Sequence, residues 1–302
     1  MLAIIAPGQG SQAPGMLAQW LDNPELRKIA LEFSDLIDLD LLHLGVTADA
    51  DEIKDTEMAQ PLIVAAGLLS AHALNLDSQF TFVAGHSVGE ITAAAIAGNI
   101  SAADAMTLVR ARGRQMAMAA ADTSGAMAAV LGGERELVLA EISKLGLVAA
   151  NDNGGGQIVA AGDPTALAKL APEGARVRVL AVAGAFHTED MQPAVAPMKE
   201  VAATITTYDG RAAIISNREG AITRDGRDVI NRIINQIASP VRWDLCMQTM
   251  QESGVTGVLE LAPAGTLVGL VKRGAPTVEG FALKSPADIP VALEFIARHG
   301  GR

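Results

Sequence analysis

Along this chain, short apolar runs stop at glycine-rich or polar turns and give way to longer stretches in which apolar residues recur with a helical period. That order is expected of strands alternating with helices. The run over 1–6 predicts a buried first strand ending at Pro7-Gly8. Helical patterns broken by acidic positions fill 23–44, and Gln60-Pro61 predicts the opening of a helix, because proline fits a first turn. A second strand beginning at Phe80 passes through Gly85-His86-Ser87-Val88-Gly89-Glu90 into an alanine-rich helix over 90–97. The stretch 101–121 predicts another helix, with Ser101 as N-cap and Asp104 near the positive end of its dipole.

From Gly125 the elements shorten. Strands are expected over 126–131, 147–151, 157–161 and 176–182, with helices over 134–145 and 164–170. This alternation has the form of a small split βαβ unit inserted into a larger domain, with boundaries near Ser124 and Gly184. The larger pattern then resumes with a helix to about Ala203, a strand over 212–215 ending in Ser216-Asn217, and a helix over 225–238 stopped by Ser239-Pro240. Val241-Arg242-Trp243 leads into a helix around Cys246, and a strand over 258–261 runs into Ala262-Pro263-Ala264-Gly265.

Composition narrows the class. The 302 residues are 50% hydrophobic but only 3% aromatic, enough for a large core in one or two domains and better suited to helices layered on a parallel sheet than to a β-sandwich. The richest apolar run, 61–76, is interrupted by Ser70, His72 and Asn75 and falls short of the ~18 residues of a membrane span. The start of the chain lacks a basic lead, so it reads as a strand and not a signal peptide. One cysteine, Cys246, excludes an intramolecular disulfide and fits a reducing, cytoplasmic setting; between Leu245 and Met247 it reads as a packed helix position. A net charge of −11 argues against nucleic acid, although an acidic partner could still dock on a local basic patch.

The candidate chemistry centres on Ser87. A strand-to-helix turn this tight holds its central residue in a strained conformation, which Gly85 and Gly89 make sterically possible. It also sets Ser87 at a helix N-terminus, where free N–H groups favour the oxyanion of an acyl-transfer intermediate. A glycine-bounded turn with a capping serine is the plain alternative. Of the five histidines, His299 is expected at a frayed C-terminus, His43 and His72 fall within helical apolar patterns, and His86 should point away from its neighbour Ser87. His187, expected directly after a strand at a sheet edge, is the candidate base. The Pro7-Gly8-Gln9-Gly10-Ser11-Gln12 loop sits where α/β folds form ligand sites, but Ala13 stands where a dinucleotide fingerprint needs its third glycine. Arg110, Arg112 and Arg114 fan across more than one helix face, so Arg112 need not follow its neighbours into solvent.

These segments together resemble the malonyl-CoA:acyl carrier protein transacylases over nearly the whole chain. Gln60-Pro61, Arg112-Gly113, Gly125-Ala126-Met127, Phe186-His187-Thr188 and Gly265-Thr266-Leu267 join the Gln9 loop and the Ser87 turn in the family's order. The resemblance implies an α/β fold: an α/β-hydrolase-like large domain with a parallel sheet (1–123 and 185–302) carrying an inserted ferredoxin-like small domain (124–184). It implies Ser87 as nucleophile, His187 as base oriented by a backbone carbonyl near Gln236, and an oxyanion hole from the N–H groups of Gln9 and Val88. Arg112 would hold the malonyl carboxylate, whose two oxygens match a guanidinium fork; Phe186, Asn151 and Asn153 would line the substrate cleft. Malonyl-CoA and an acyl carrier protein are the implied partners, with no metal or redox cofactor and no role for nucleic acid or membrane. Two departures stand out: Asp152 is acidic beside a cleft for anionic substrates, and Gly154-Gly155-Gly156 lacks a proline many relatives carry, which suggests a more mobile loop. A malonyl transferase of a polyketide or malonate-decarboxylase system, a small-ester hydrolase without need of Arg112, and a catalytically idle docking module remain as alternatives.

Overall fold

The computed structural model describes residues 1–76 and 80–300. Its strands, in chain order, are β1 (Leu2–Ala6), β2 (Phe82–Gly85), β3 (Ala126–Gly132), β4 (Val148–Asp152), β5 (Gln157–Gly162), β6 (Ala175–Val179), β7 (Ala213–Ile215), β8 (Ile222–Thr223), β9 (Val241–Arg242), β10 (Gly257–Glu260) and β11 (Glu279–Ala282). They form two sheets, one ordered β11-β10-β1-β2-β7-β8 and the other β6-β3-β5-β4-β9.

The first sheet is parallel from β11 to β7, with β8 antiparallel at its edge. Every residue of β1, β2, β7 and β10 is buried. Continuous apolar runs, and not alternation, are what a sheet covered on both faces requires. The register pairs Ala6 with Gly85 and Ile5 with Glu260, so the loops after β1, β2 and β10 leave the sheet at one edge. The segment Ser216-Asn217 after β7 emerges beside them. Ligand sites of open α/β sheets lie at this carboxyl edge.

Helix Thr56–Leu74 is long and apolar enough to cross a membrane, yet 72% of its apolar window is buried against other elements, including helix Ala102–Ala121. It is a core helix. Pro61 does not open it: Asp55 caps the N-terminus by accepting from Glu57 N, and Pro61 falls inside. A proline there cannot donate to the Glu57 carbonyl one turn back. That carbonyl instead accepts from Arg110 Nη1 at 3.4 Å. The helices meet closely at this point, where a Cβ on Gly113 would stand 3.1 Å from Thr56 O.

The second sheet follows the expected pattern to within a residue or two for β3, β4 and β5, with helices Arg135–Lys144 and Pro164–Leu167 covering a core of residues such as Val130, Val138, Ile142 and Leu167. β3, β4, β5 and β6 pair antiparallel. Its last strand was not legible: β9 pairs parallel with β4, Asn151 opposite Val241 and Asp152 opposite Arg242. A two-residue strand has no period to read. The register of β4 on β5 shifts between Ala149 and Asn151, the bulge that re-aims the side chains beyond it. β11 and helices Thr266–Gly274 and Ile289–His299 complete the chain, and His299, far from frayed, is held by Thr256 Oγ1 at 3.0 Å and Glu279 at 3.1 Å.

Candidate active site

Between β2 and helix Gly89–Ala97 the backbone turns so sharply that Ser87 has φ 52°, a left-handed conformation costly for a serine. The turn is possible because its flanks lack side chains: a Cβ on Gly85 would lie 1.9 Å from Gly89 C, and one on Gly89 would lie 2.2 Å from Ala6 O. The strain predicted from the spacing is present, and it carries the serine hydroxyl to the carboxyl edge of the sheet.

The Ser87 hydroxyl meets His187 Nε2 at 2.7 Å. On the other side of the ring, His187 Nδ1 is 2.8 Å from the Gln236 carbonyl oxygen. A carbonyl only accepts, so Nδ1 carries the hydrogen and Nε2 of the neutral ring is left to accept from Ser87. Burial, reinforced by the nearby Arg112 charge, pushes His187 down to about 3, so the ring is neutral at physiological pH. His187 does not follow a strand as expected. β6 ends at Val179 in the other sheet, and His187 sits in an irregular segment with φ 63° before helix Gln192–Ala203. The path from 180 to 186 is set by contacts on both sides of it, which no local pattern encodes.

Arg112 leaves its neighbours on the same helix. Arg110 and Arg114 pair with Glu57 at 2.9 and 3.0 Å, while Arg112 is 1% exposed and turns inward. Its Nη1 donates to Gln60 Oε1 at 2.7 Å, and its Nη2 donates to Gln236 Oε1 at 3.0 Å and to Ser87 Oγ at 3.3 Å. Burial lowers it to about 10, still charged at neutral pH, with the Glu90 carboxylate opposing the shift. Its hydrogen-bond partners in the protein, Gln60, Gln236 and Ser87, are neutral groups.

A cleft of about 400 Å³ opens over Ser87, lined by Gln9, Gln60, His86, Asn151, Asn153, Phe186 and His187 among others. The backbone N–H groups of Gln9 and Val88 donate to no other group among the described residues. Asn153 Oδ1 is 2.8 Å from His86 Nε2, which ties the end of the second sheet's β4 to the residue before Ser87. Asp152, which follows Asn151 and ends β4, faces the opposite way from Asn151 and accepts from Arg135 Nε and Nη2 at 3.0 and 2.7 Å. Strand alternation therefore separates its charge from the cleft. Gly154, Gly155 and Gly156 all have positive φ in a turn closed by Gln157 N donating to Gly154 O at 3.0 Å, packed against Met247 and Arg273.

Three neighbours of this set were not singled out from the sequence. Gln60 appeared only as part of a motif, as did Glu90, and Asn217 only as the end of a strand. All are buried: Asn217 Oδ1 accepts from Ser87 N at 2.8 Å, and Glu90 accepts from Asn217 N at 2.7 Å and from Gln236 Nε2. The available signal for Asn217 was position, a polar pair at the carboxyl end of the strand beside the one that leads to Ser87.

The family described as Acyl transferase domain matches residues 4–286. A Mycobacterium tuberculosis protein named malonyl CoA-acyl carrier protein transacylase is 50% identical over 296 residues, covering 96% of this chain and 98% of the relative. The crystal structure of the transacylase from Mycobacterium tuberculosis superposes with a TM-score of 0.92 at 49% identity, covering 96% of this chain and 98% of that one. A malonyl-transacylase in complex with its type II PKS acyl-carrier protein gives a TM-score of 0.90 at 29% identity, covering 97% and 99%.

Proposed function

We infer the chemistry of this site from one premise: the chain belongs to the acyl transferase domain family, among the malonyl CoA-acyl carrier protein transacylases. It moves a malonyl group from malonyl-CoA to an acyl carrier protein, the step that supplies malonyl units for fatty acid synthesis. One observation carries the reading of the site: a single hydroxyl, Ser87 Oγ, is in contact with a neutral histidine at 2.7 Å and a buried arginine at 3.3 Å.

In the first half-reaction Ser87 Oγ attacks the thioester carbonyl and its proton passes to His187 Nε2. The carbonyl oxygen becomes an oxyanion received by the N–H groups of Gln9 and Val88, the second lying at the N-terminus of helix Gly89–Ala97, where the dipole adds to the hydrogen bond. Collapse breaks the C–S bond, CoA leaves with the proton from His187, and malonyl stays on Ser87. In the second half the phosphopantetheine thiol of the carrier gives its proton to His187, attacks the ester and regenerates Ser87. The Gln236 carbonyl stabilises the imidazolium that forms each time, in the place of a third acidic side chain. Arg112 binds the malonyl carboxylate, and Phe186, Asn151 and Asn153 shape the cleft around it.

The same reading divides the chain into an α/β-hydrolase-like domain, 1–123 and 185–302, and an inserted ferredoxin-like domain, 124–184. The antiparallel order β6-β3-β5-β4 supports it, with β9 added to one edge from the larger unit. Residues of both parts line the cleft, Gln9 and His86 from the first and Asn151 and Asn153 from the second. The reading puts the protein in the cytoplasm, where malonyl-CoA and a reduced Cys246 both belong.

Intact-protein mass spectrometry after incubation with malonyl-CoA, and again after addition of a phosphopantetheinylated acyl carrier protein, tests the function. A malonyl adduct on Ser87 that moves to the carrier is expected. An adduct lost only to water would make the protein a hydrolase.

A further inference from the structure

We propose that Asn217 is a positioning residue that holds the backbone of Ser87 in its strained conformation by standing in for a missing strand residue. The inference rests on the reading of Ser87 as the nucleophile. Strand pairing between β2 and β7 is in register only as far as Val83 opposite Ile214, and β7 ends at Ile215. Beyond that point the chain at 85–87 keeps backbone pairing on the β1 side, where His86 N donates to Ala6 O at 3.0 Å, but has no strand backbone paired with it on the β7 side. The Asn217 carboxamide fills the gap, because a primary amide presents the same donor and acceptor as a peptide group. Its Nδ2 donates to Gly85 O at 2.7 Å and its Oδ1 accepts from Ser87 N at 2.8 Å, so one side chain spans the turn on both sides of His86. Residues 85 and 87 are thereby fixed relative to each other, which is the constraint a φ of 52° at Ser87 requires from outside.

The carboxamide is itself held. Asn217 is 0% exposed, its backbone N donates to Glu90 Oε1 at 2.7 Å, and its Oδ1 also accepts from Gln236 Nε2 at 2.9 Å. Glu90 lies in the first turn of the helix that Ser87 introduces, and its second oxygen accepts from Gln236 Nε2. Gln236 in turn accepts from Arg112 Nη2 through its side chain and from His187 Nδ1 through its carbonyl. Asn217 and Glu90 therefore lock the serine to the residue that orients both the base and the arginine. Neither touches substrate; they act through Ser87 and Gln236.

The expected signature separates this role from a purely structural one. Misplacing a reacting atom by about 1 Å costs roughly 100-fold in rate. Asn217→Ala is therefore expected to lower the single-turnover acylation rate by about 100-fold for malonyl-CoA and acetyl-CoA alike, with KM for malonyl-CoA changed less than about 3-fold. Asn99→Ala serves as control: Asn99 is equally buried and bonds Tyr208 O and Arg224 O at 3.0 and 2.9 Å, so its loss should lower Tm and leave acylation by the folded protein unchanged. Asn217→Asp preserves volume and the acceptor for Ser87 N but loses the donor to Gly85 O. It is expected to fold even where alanine does not, and to acylate at about a tenth of the normal rate or less. Hydrogen exchange in a peptide spanning 85–90 should rise in either variant. A folded Asn217 variant that acylates at the normal rate, or whose defect lies in KM, overturns the inference while leaving Ser87 in place. Failure of the unmutated protein to acylate at Ser87 would instead overturn the reading beneath it.

Discussion

Arg112 Nη2 lies 3.3 Å from Ser87 Oγ, so the one fully buried arginine of its helix ends at the hydroxyl proposed as nucleophile and not at a carboxylate. A cation in that position stabilises an anionic acyl group once it is attached, and does nothing for a neutral one. Removing Arg112 would leave the malonyl carboxylate desolvated without a partner, a penalty of about 2–5 kcal/mol, roughly 30- to 5,000-fold in rate. Arg112→Ala should lower kcat/KM for malonyl-CoA by a factor in that range and spare the slow reaction with acetyl-CoA. Arg112→Lys should restore little, since a point charge supplies no fork. A parallel loss for both thioesters at unchanged Tm would remove Arg112 from substrate recognition.

Ser87→Ala should abolish the malonyl adduct, and Cys246→Ser should leave it. Cys246 is fully buried, its Sγ lies 3.3 Å from Ser216 O, and burial pushes the thiol well above the usual range, so no thiolate is available to react. Peptide mapping of the adduct locates it, and malonyl found on the Ser87→Ala protein would refute the assignment.

Phe186 is 6% exposed and lines the cleft beside His187. On the proposed reading its ring fills the space that a methyl on the malonyl α-carbon would need. Discrimination of one methyl is worth about 1–3 kcal/mol, roughly 10–200-fold. Malonyl-CoA should be preferred over methylmalonyl-CoA within that range, and Phe186→Ser should narrow the ratio. Equal kcat/KM values with the unmutated protein would contradict this role for the ring.

The pH dependence follows from two buried groups with opposite shifts. His187 is held down to about 3, so its neutral form persists and kcat/KM for malonyl-CoA should show no acid limb near the ordinary histidine value of about 6.5. Between those values the unfolded chain binds the proton that the folded one refuses, so His187 adds stability above about pH 6.5 that is lost as pH falls. Glu90, pushed up to about 7 by burial, does the reverse: folded, it binds a proton the unfolded chain has released, so its contribution is lost as pH rises from its model value of 4.5 through 7. In Glu90→Gln only the histidine slope remains, and stability should rise more steeply with pH across that window than in the unmutated protein. Urea denaturation at several pH values measures the slope, and an unchanged profile would mean Glu90 does not titrate there.

The legible parts of this protein were those in which neighbouring residues decide the outcome. Buried strands announced themselves as unbroken apolar runs, Ser101 as a cap, and Ser87 as a strained turn, because Gly85 and Gly89 permit that turn through contacts a few residues apart. The alternation over 126–161 likewise located the second sheet, since its helices and strands carry their own periods. Elimination among the five histidines left His187 as the candidate base, whereas the resemblance supplied the roles expected of Arg112 and Gln236, which spacing alone did not assign.

Tertiary structure decided the rest. Ser87, Arg112, His187, Asn217 and Gln236 come from separate parts of the chain, and the contacts joining Ser87 to Asn217 and Gln236 cross 130 and 149 residues. Which face Arg112 turns to, that Asp152 points away from the cleft, and that Val241 pairs with Asn151 depend on what packs opposite, and so does the interior position of Pro61 in its helix. A sequence encodes the conformations that each segment tolerates. The desolvation that pushes His187 down and Glu90 up, and the partners that keep those groups satisfied, exist only once distant segments exclude water from the same small volume.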